Sequence, residues 1–437
     1  MEPFVSIEML PADYGDALYI NYGDEASQHH LLIDGGLSKS FKSGWKKRIR
    51  QLGRQGVALD LAIVTHIDLA HINGVQALIE ANQQGRQPPS VIPVREVWFN
   101  QYRHIRPFGQ GAVRAPDTLA ANAPRWRSKT DFVAEVARRA PHLATLAARL
   151  AQAAPPDLTE VAPTGVADGE ALADLLDGHY PSNTTFGGQA IVRVGDPPRV
   201  ELPGGAIAWV LAPTPDGLAD LYRQWENYLR ANDLAALLSV TGLGPLAAGD
   251  ALVPGFVQQL MLRTPGAFDT LMKGREEDLD EPIQALAQRE FKEDSSVANG
   301  SSIALLFEYA GKRLLLTGDA HSHDVAEGLR RLGYSSASPV ALGAFKLAHH
   351  GSRANTGDDL LNLVQCDRYL ISTNGDRFGH PDKECLARVI WANRDRGGTT
   401  FYFNYPNTAA AQALDVASDR ARYGYSLECV AGASVII

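Results

Sequence analysis

The chain has 437 residues, 45% of them hydrophobic and 21% charged, with a net charge of −9. This is the make-up of an ordinary globular protein, and it excludes a generally basic nucleic-acid coat while leaving room for local positive charge at a site. No apolar run approaches the ~20 residues of a membrane helix, Met1-Glu2-Pro3-Phe4 lacks the regions of a signal peptide, and three scattered cysteines, Cys366, Cys385 and Cys429, give neither a disulfide framework nor a zinc-finger spacing. The expectation is a cytoplasmic protein with no membrane partner, its length fitting two domains or one large domain with insertions.

In chain order, Phe4 to Met9, Ala17 to Tyr22 and His30 to Ile33 read as strands, the first two joined by a turn with Asp13, Gly15 and Asp16 and the third ending in Asp34-Gly35-Gly36. Phe41 to Gly53 carries Lys42, Lys46, Lys47, Arg48 and Arg50 and reads as a basic helix, either a solvated face or a phosphate-facing rim. Leu61 to Val64 is a buried strand by its apolar run. It is followed by Thr65-His66-Ile67-Asp68-Leu69-Ala70-His71-Ile72-Asn73-Gly74, in which Ile72, Val75, Leu78 and Ile79 recur at helical spacing. His66, Asp68 and His71 therefore share one strand-to-helix turn. Imidazole and carboxylate are what a divalent ion such as zinc or manganese takes from a protein.

Arg95 to Asn100 reads as a strand, Asp131 to Ala153 as a helix, 155–169 as a loop and Ala171 to Leu176 as a short helix. Strands follow at Ile191–Val194, Val200–Leu202 and Ala206–Leu211, then an amphipathic helix from Leu218 to Ala235. Residues 232–294, with the acidic run Arg275 to Glu281, fit no core element and read as an insertion or a lid. Asn299-Gly300-Ser301-Ser302 opens the strand Ile303 to Glu308, and Arg313 to Leu316 ends in Thr317-Gly318-Asp319. A carboxylate closing a buried strand is costly unless it meets a metal or donors. Phe345-Lys346-Leu347-Ala348-His349-His350-Gly351-Ser352 again runs from strand into polar residues, and Tyr369 to Ser372 leads to Gly379-His380-Pro381.

Thr-His-x-Asp-x-x-His-x-x-Gly, Leu-Leu-Leu-Thr-Gly-Asp, His-His-Gly-Ser and Gly-His-Pro, in this order, resemble the metallo-β-lactamase fold, in the branch typified by the hydrolase domain of the DNA-uptake protein ComEC without its membrane channel. The resemblance implies an α/β chain forming one domain over 1–437. Its architecture would be an αββα sandwich with helices outside two facing sheets, metals at one edge, and 232–294 as a large insertion. It implies one or two zinc or manganese ions held by His66, Asp68, His71, Asp319, His380 and one of His349 and His350. The sequence does not say which of that pair is the ligand or proton donor. Asp319 would bridge two ions, and Asp34 would support the metal loop without being a ligand. At Ala212-Pro213, where many relatives have another histidine, this chain has none, as in the ComEC-like branch.

One position departs from the pattern. Ala70 stands where the family has an aspartate that binds the second ion. Because Thr65, His66, Asp68, His71 and Gly74 are all in register, Ala70 is read as an introduced replacement of that aspartate, leaving the present form inactive. With Asp68, Ala70 and His350 as the catalytic positions, the resemblance implies a nuclease or phosphodiesterase acting on DNA or RNA. The alternatives are a small-molecule hydrolase (cyclic nucleotide, thioester or lactam) and a non-catalytic regulatory protein. Similar hydrolases occur in bacterial antiviral defence, some paired with proteases, so a partner protease that cuts a 232–294 lid is a further expectation. The histidines His29, His30, His104, His142, His179, His321 and His323 match no family position, though His321 is close enough to Asp319 in sequence to line the cleft.

Overall fold

The computed structural model describes residues 2–84, 89–109, 165–226, 276–406 and 408–437. The chain divides into two compact units, one of 1–109, 164–222 and 269–437, the other of 110–163 and 223–268. Nearly all described residues belong to the first. The expected helix at 131–153, most of the loop at 155–169 and residues 232–275 lie outside the described residues.

The first unit is mixed α/β. Its strands begin with Phe4–Met9 (β1), Leu18–Gly23 (β2), Gln28–Ile33 (β3), Leu61–Ile63 (β4) and Val97–Trp98 (β5). Arg199–Glu201 (β6), Ile207–Ala212 (β7), Ala304–Tyr309 (β8), Lys312–Leu316 (β9), Val340–Leu342 (β10) and Ala344–Lys346 (β11) follow. Last come Val364–Cys366 (β12), Arg368–Ile371 (β13), Thr399–Phe403 (β14), Tyr425–Cys429 (β15) and Ser434–Ile436 (β16). One sheet runs β16-β1-β2-β3-β4-β5, a second β15-β14-β13-β11-β9-β8-β7-β6, and β10 pairs with β12. β1, β2 and β3 form an antiparallel meander, whereas β4 joins β3 in parallel, a change of direction that requires a crossover. The helix Lys46–Arg54 (α1) lies in that connection.

Strand alternation divides the apolar side chains between clusters. Val5, Ile7, Leu18, Ile20, Leu31 and Ile33 of the first sheet share a cluster with Leu305, Phe307, Leu314 and Leu316 of the second. On the other face of the first sheet, Tyr19 and Leu32 pack with Phe41, Ile49, Leu52 and Leu78, the last from the helix Leu69–Gln83 (α2). On the other face of the second sheet, Leu306, Leu315 and Phe345 pack with Val325 and Leu329 of Ser322–Arg331 (α3) and with Leu386, Val389 and Ile390 of Lys383–Asn393 (α4).

Several local expectations change. Residues 191–194 join no ladder: the Asn100 side chain stands in for a strand, its Oδ1 accepting from Ile191 N and its Nδ2 donating to Ile191 O, both at 2.8 Å. The short helix extends back to Val166. The basic segment is a π-helical Ser40–Trp45 running into α1, with Lys42, Lys47 and Arg54 exposed and Arg48 paired to Glu8 at 3.3 Å. Of the expected insertion, residues 276–294 are packed into the first unit. Ile283 and Leu286 are in the core, Lys383 Nζ donates to the carbonyls of Leu279 and Glu281, and Arg289 pairs with Asp278 and Glu384. Among the described residues no helix is long and apolar enough to cross a membrane.

Candidate metal centre

The strand ends of both sheets bring together side chains that lie more than 300 residues apart. β4 ends just before Thr65, and α2 begins at Leu69 with Asp68 as its N-cap. The Asp68 side chain accepts no capping hydrogen bond; its Oδ2 lies 3.7 Å from His66 Nε2 instead. Asp319 follows β9 and is buried. Its Oδ2 is 3.2 Å from His71 Nε2, 3.8 Å from His66 Nε2, 3.8 Å from His349 Nε2 and 3.9 Å from His350 Nε2. Ligand atoms held about 2.1 Å from a shared tetrahedral ion stand about 3.4 Å apart, so this spacing is that of donors arranged around a cation. Both members of the His349–His350 pair reach Asp319. The His380 ring is centred 5.1 Å from that of His349.

Four of these five imidazoles, all but His380, are turned by a partner on the far nitrogen. Asp34 accepts from Thr65 N (2.8 Å), Thr65 Oγ1 (2.8 Å) and His71 Nδ1 (2.9 Å). Because Thr65 Oγ1 gives its proton to Asp34, it can only accept from His66 Nδ1, 3.0 Å away. Both rings thereby carry a proton on Nδ1 and turn Nε2 towards Asp319, the second-shell device that orients metal-binding histidines. His350 Nδ1 donates to Ser372 O at 3.0 Å, with Asp16 Oδ1 3.2 Å away. His349 Nδ1 lies 3.1 Å from Asn355 Oδ1. That loop is strained, with His349, His350 and Gly351 at φ 47°, 56° and 85°. Non-glycine residues there cost about 1–3 kcal/mol each and persist mainly at functional sites.

The electrostatics favour a cation. Burial pushes the Asp319 carboxyl up, but His71, His349 and His350 together hold it well below the usual carboxylate range. Burial pushes His71 down, yet Asp319 and Asp34 on either side raise it well above the ordinary histidine value. His350 is lowered, chiefly by burial and against the pull of Asp16 and Asp319, and so stays neutral. His66 Nε2, Asp319 Oδ1 and both ring nitrogens of His380 are buried without a hydrogen-bond partner. Buried polar atoms are rarely left so, and all four are the donor types a zinc or manganese ion takes. The residues fit such an ion.

Ala70 contributes no ligand. It is half-buried in the first turn of α2, where its carbonyl accepts from Asp16 N at 3.2 Å. His321 lies to one side of the cluster, its Nε2 3.1 Å from Ser296 O.

Beyond Asp34, which supports the metal loop as expected, the sequence alone does not mark the supporting residues. In the sequence Asp16 reads only as a turn residue, but it is buried and holds Lys346 Nζ at 2.7 Å. A lysine inside the apolar run Phe345-Lys346-Leu347 was the available signal, since a buried lysine requires a counterion. Asp294 accepts from Asn299 and Asn355 behind His349, and Asp382 Oδ2 lies 3.5 Å from His380 Nδ1; neither carried a distinguishing signal. Compared with models of known families and with curated proteins, the chain matches none.

Proposed function

We propose that the chain is a metal-dependent hydrolase of the metallo-β-lactamase fold, ComEC-like in its motifs, whose substrate is a phosphodiester of DNA or RNA. The observation that carries this reading is the convergence of His66, His71, His349 and His350 on one carboxylate oxygen of Asp319, with Asp68 beside His66 and four donor atoms of the cluster buried without a hydrogen-bond partner. Two sheets sharing one core, each with helices on its other face, support the αββα sandwich. When bound, one or two zinc or manganese ions would supply Lewis-acid polarisation and acidify water to a pKa of about 7. Asp34 and Thr65 fix a proton on Nδ1 of His71 and His66, so that Nε2 is the nitrogen each ring offers to an ion. His350, neutral with Nε2 bare, acts as a ligand and not as a proton donor. Asp68, half-exposed beside His66, is the carboxylate open to an incoming water.

Ala70 leaves the second ion one carboxylate short, which favours an inactive form and gives a non-catalytic role its one specific support. The test is Ala70→Asp, loaded with zinc or manganese and incubated with plasmid, single-stranded DNA, RNA and cyclic nucleotides. Metal bound after dialysis should rise from about one ion towards two, and a phosphodiester should be cleaved at a rate orders of magnitude above the Ala70 form. A variant that binds no more metal and hydrolyses nothing further would favour the non-catalytic reading; cleavage of cyclic nucleotides alone would favour a small-molecule hydrolase.

A further inference from the structure

The β1–β2 turn that carries Asp16 and the loop that carries His380 meet again beside the metal centre, where two aromatic rings set edge to face share one guanidinium. Tyr14 precedes Asp16 by two positions and Phe378 precedes His380 by two. The rings of Tyr14 and Phe378 are 6.2 Å apart at 85°. The Arg377 guanidinium carbon lies 5.3 Å from the Tyr14 centroid and 5.0 Å from the Phe378 centroid, and Arg377 donates to Tyr14 Oη at 3.0 Å. Phe378 in turn lies 6.0 Å from the His380 ring.

This group is held in place from below and open above. Asn374 N donates to Asp13 O at 2.8 Å, Asp376 N to Asn374 Oδ1 at 3.0 Å, and Gly379 N to Gly375 O at 3.0 Å. The first bond pins the loop to the β1–β2 turn, and the other two brace the loop internally. Arg377 is exposed, while Tyr14 and Phe378 are half-exposed. Among the described residues no carboxylate lies within ion-pair range of Arg377, and the adjacent Asp376 is taken by Asn374 Nδ2 at 2.8 Å. A guanidinium that makes no ion pair and is shared by two rings is suited to a ligand that is flat and anionic at once. Aromatic side chains bind unpaired bases by stacking, and arginine adds both stacking and phosphate pairing. A duplex keeps its base faces covered, so the ligand is single-stranded.

We propose that Tyr14, Arg377 and Phe378 form a nucleotide platform at the rim of the metal centre, taking one unpaired base of a nucleic acid and the phosphate next to it. The proposal rests on the reading of the centre as a phosphodiester site and names how its substrate is presented. The probe is fluorescein-labelled oligodeoxythymidylate, alongside the same oligomer with abasic residues, titrated by anisotropy with the full Ala70 chain. Phe378→Leu keeps the apolar volume and removes the ring. It should weaken the thymidylate oligomer about tenfold and leave the abasic oligomer unchanged. Arg377→Ala, at an exposed position, should weaken both. Metal retained after dialysis should be unchanged in each variant, which separates loss of the platform from displacement of His380. Equal affinity for both oligomers, or thymidylate binding unaffected by both variants, overturns the platform. The two readings fail separately. Base-dependent binding in an Ala70→Asp protein that cleaves nothing supports the platform and removes the hydrolase. Cleavage indifferent to Phe378→Leu and to abasic residues removes the platform and keeps the hydrolase.

Discussion

Histidines in this fold are set by what faces their two ring nitrogens, and His104 is the counter-case to the metal cluster. It is buried, with Nδ1 3.0 Å from the Phe99 carbonyl oxygen and Nε2 accepting from Arg103 Nε at 3.3 Å. Burial, helped by the charge of Arg103 and opposed by the Phe99 carbonyl, pushes its pKa down from 6.5 to about 4. The folded state thus binds the proton more weakly than the unfolded chain. Stability from this residue is intact above pH 6.5, falls as pH drops towards 4, and changes no further below that. The loss reaches about 3 kcal/mol at most. Urea unfolding of the wild type and of His104→Gln between pH 7 and 4.5 measures it: the variant should be less stable at pH 7 but lose less on acidification. Parallel pH profiles would show that His104 takes no part in acid sensitivity.

At the level of elements, the docking of α2 onto the turn after β3 positions the cluster, and it depends on two glycines. Gly35 N donates to His71 O at 2.9 Å and Gly74 N to Gly36 O at 2.8 Å, so helix and turn touch backbone to backbone. A Cβ on Gly74 would stand 1.8 Å from the Gly35 carbonyl oxygen. In an open helix Gly→Ala stabilises by about 1 kcal/mol; here the contact reverses the sign, and Gly74→Ala should cost about 2–3 kcal/mol. Its urea midpoint should fall and its metal retention with it, because His71 moves with the helix; an unchanged midpoint would mean that the helix shifts freely. This part of the site was legible in the sequence because its chemistry is local: Thr65, His66, Asp68, His71 and Gly74 lie within ten residues, and the strand alternation around Leu18, Ile20 and Leu31 marks the faces. What was not legible is what distant side chains do. The amide of Asn100 replaces a strand beside Ile191, so an alternating pattern at 191–194 gave no ladder. Lys346 and Asp16 pair across 330 positions, and only the oddity of a lysine in an apolar run hints at it.

Across the whole first unit, the candidate ligands divide by sheet. His66, Asp68 and His71 follow the end of β4 in the first sheet, whereas Asp319, His349, His350 and His380 follow β9, β11 and β13 in the second. The shared apolar cluster and the buried Asp16–Lys346 pair hold the sheets together by themselves. An ion gripped from both sides would add a third link that exists only in the folded state, so binding must appear as stability. At free zinc or manganese a hundredfold above Kd the gain is about 2.7 kcal/mol, and a chelator should remove it. Cys366, Cys385 and Cys429 are free thiols that can also bind zinc in the unfolded chain and shrink the effect, so the comparison requires a variant with the same cysteines. Asp319→Asn supplies it. The substitution keeps the shape of the hub and removes the charge that four imidazoles face, so thermal unfolding should no longer respond to metal or chelator. An otherwise unaltered chain equally indifferent to zinc, manganese and chelator would mean that the cluster holds no ion, and the hydrolase reading would fall with it.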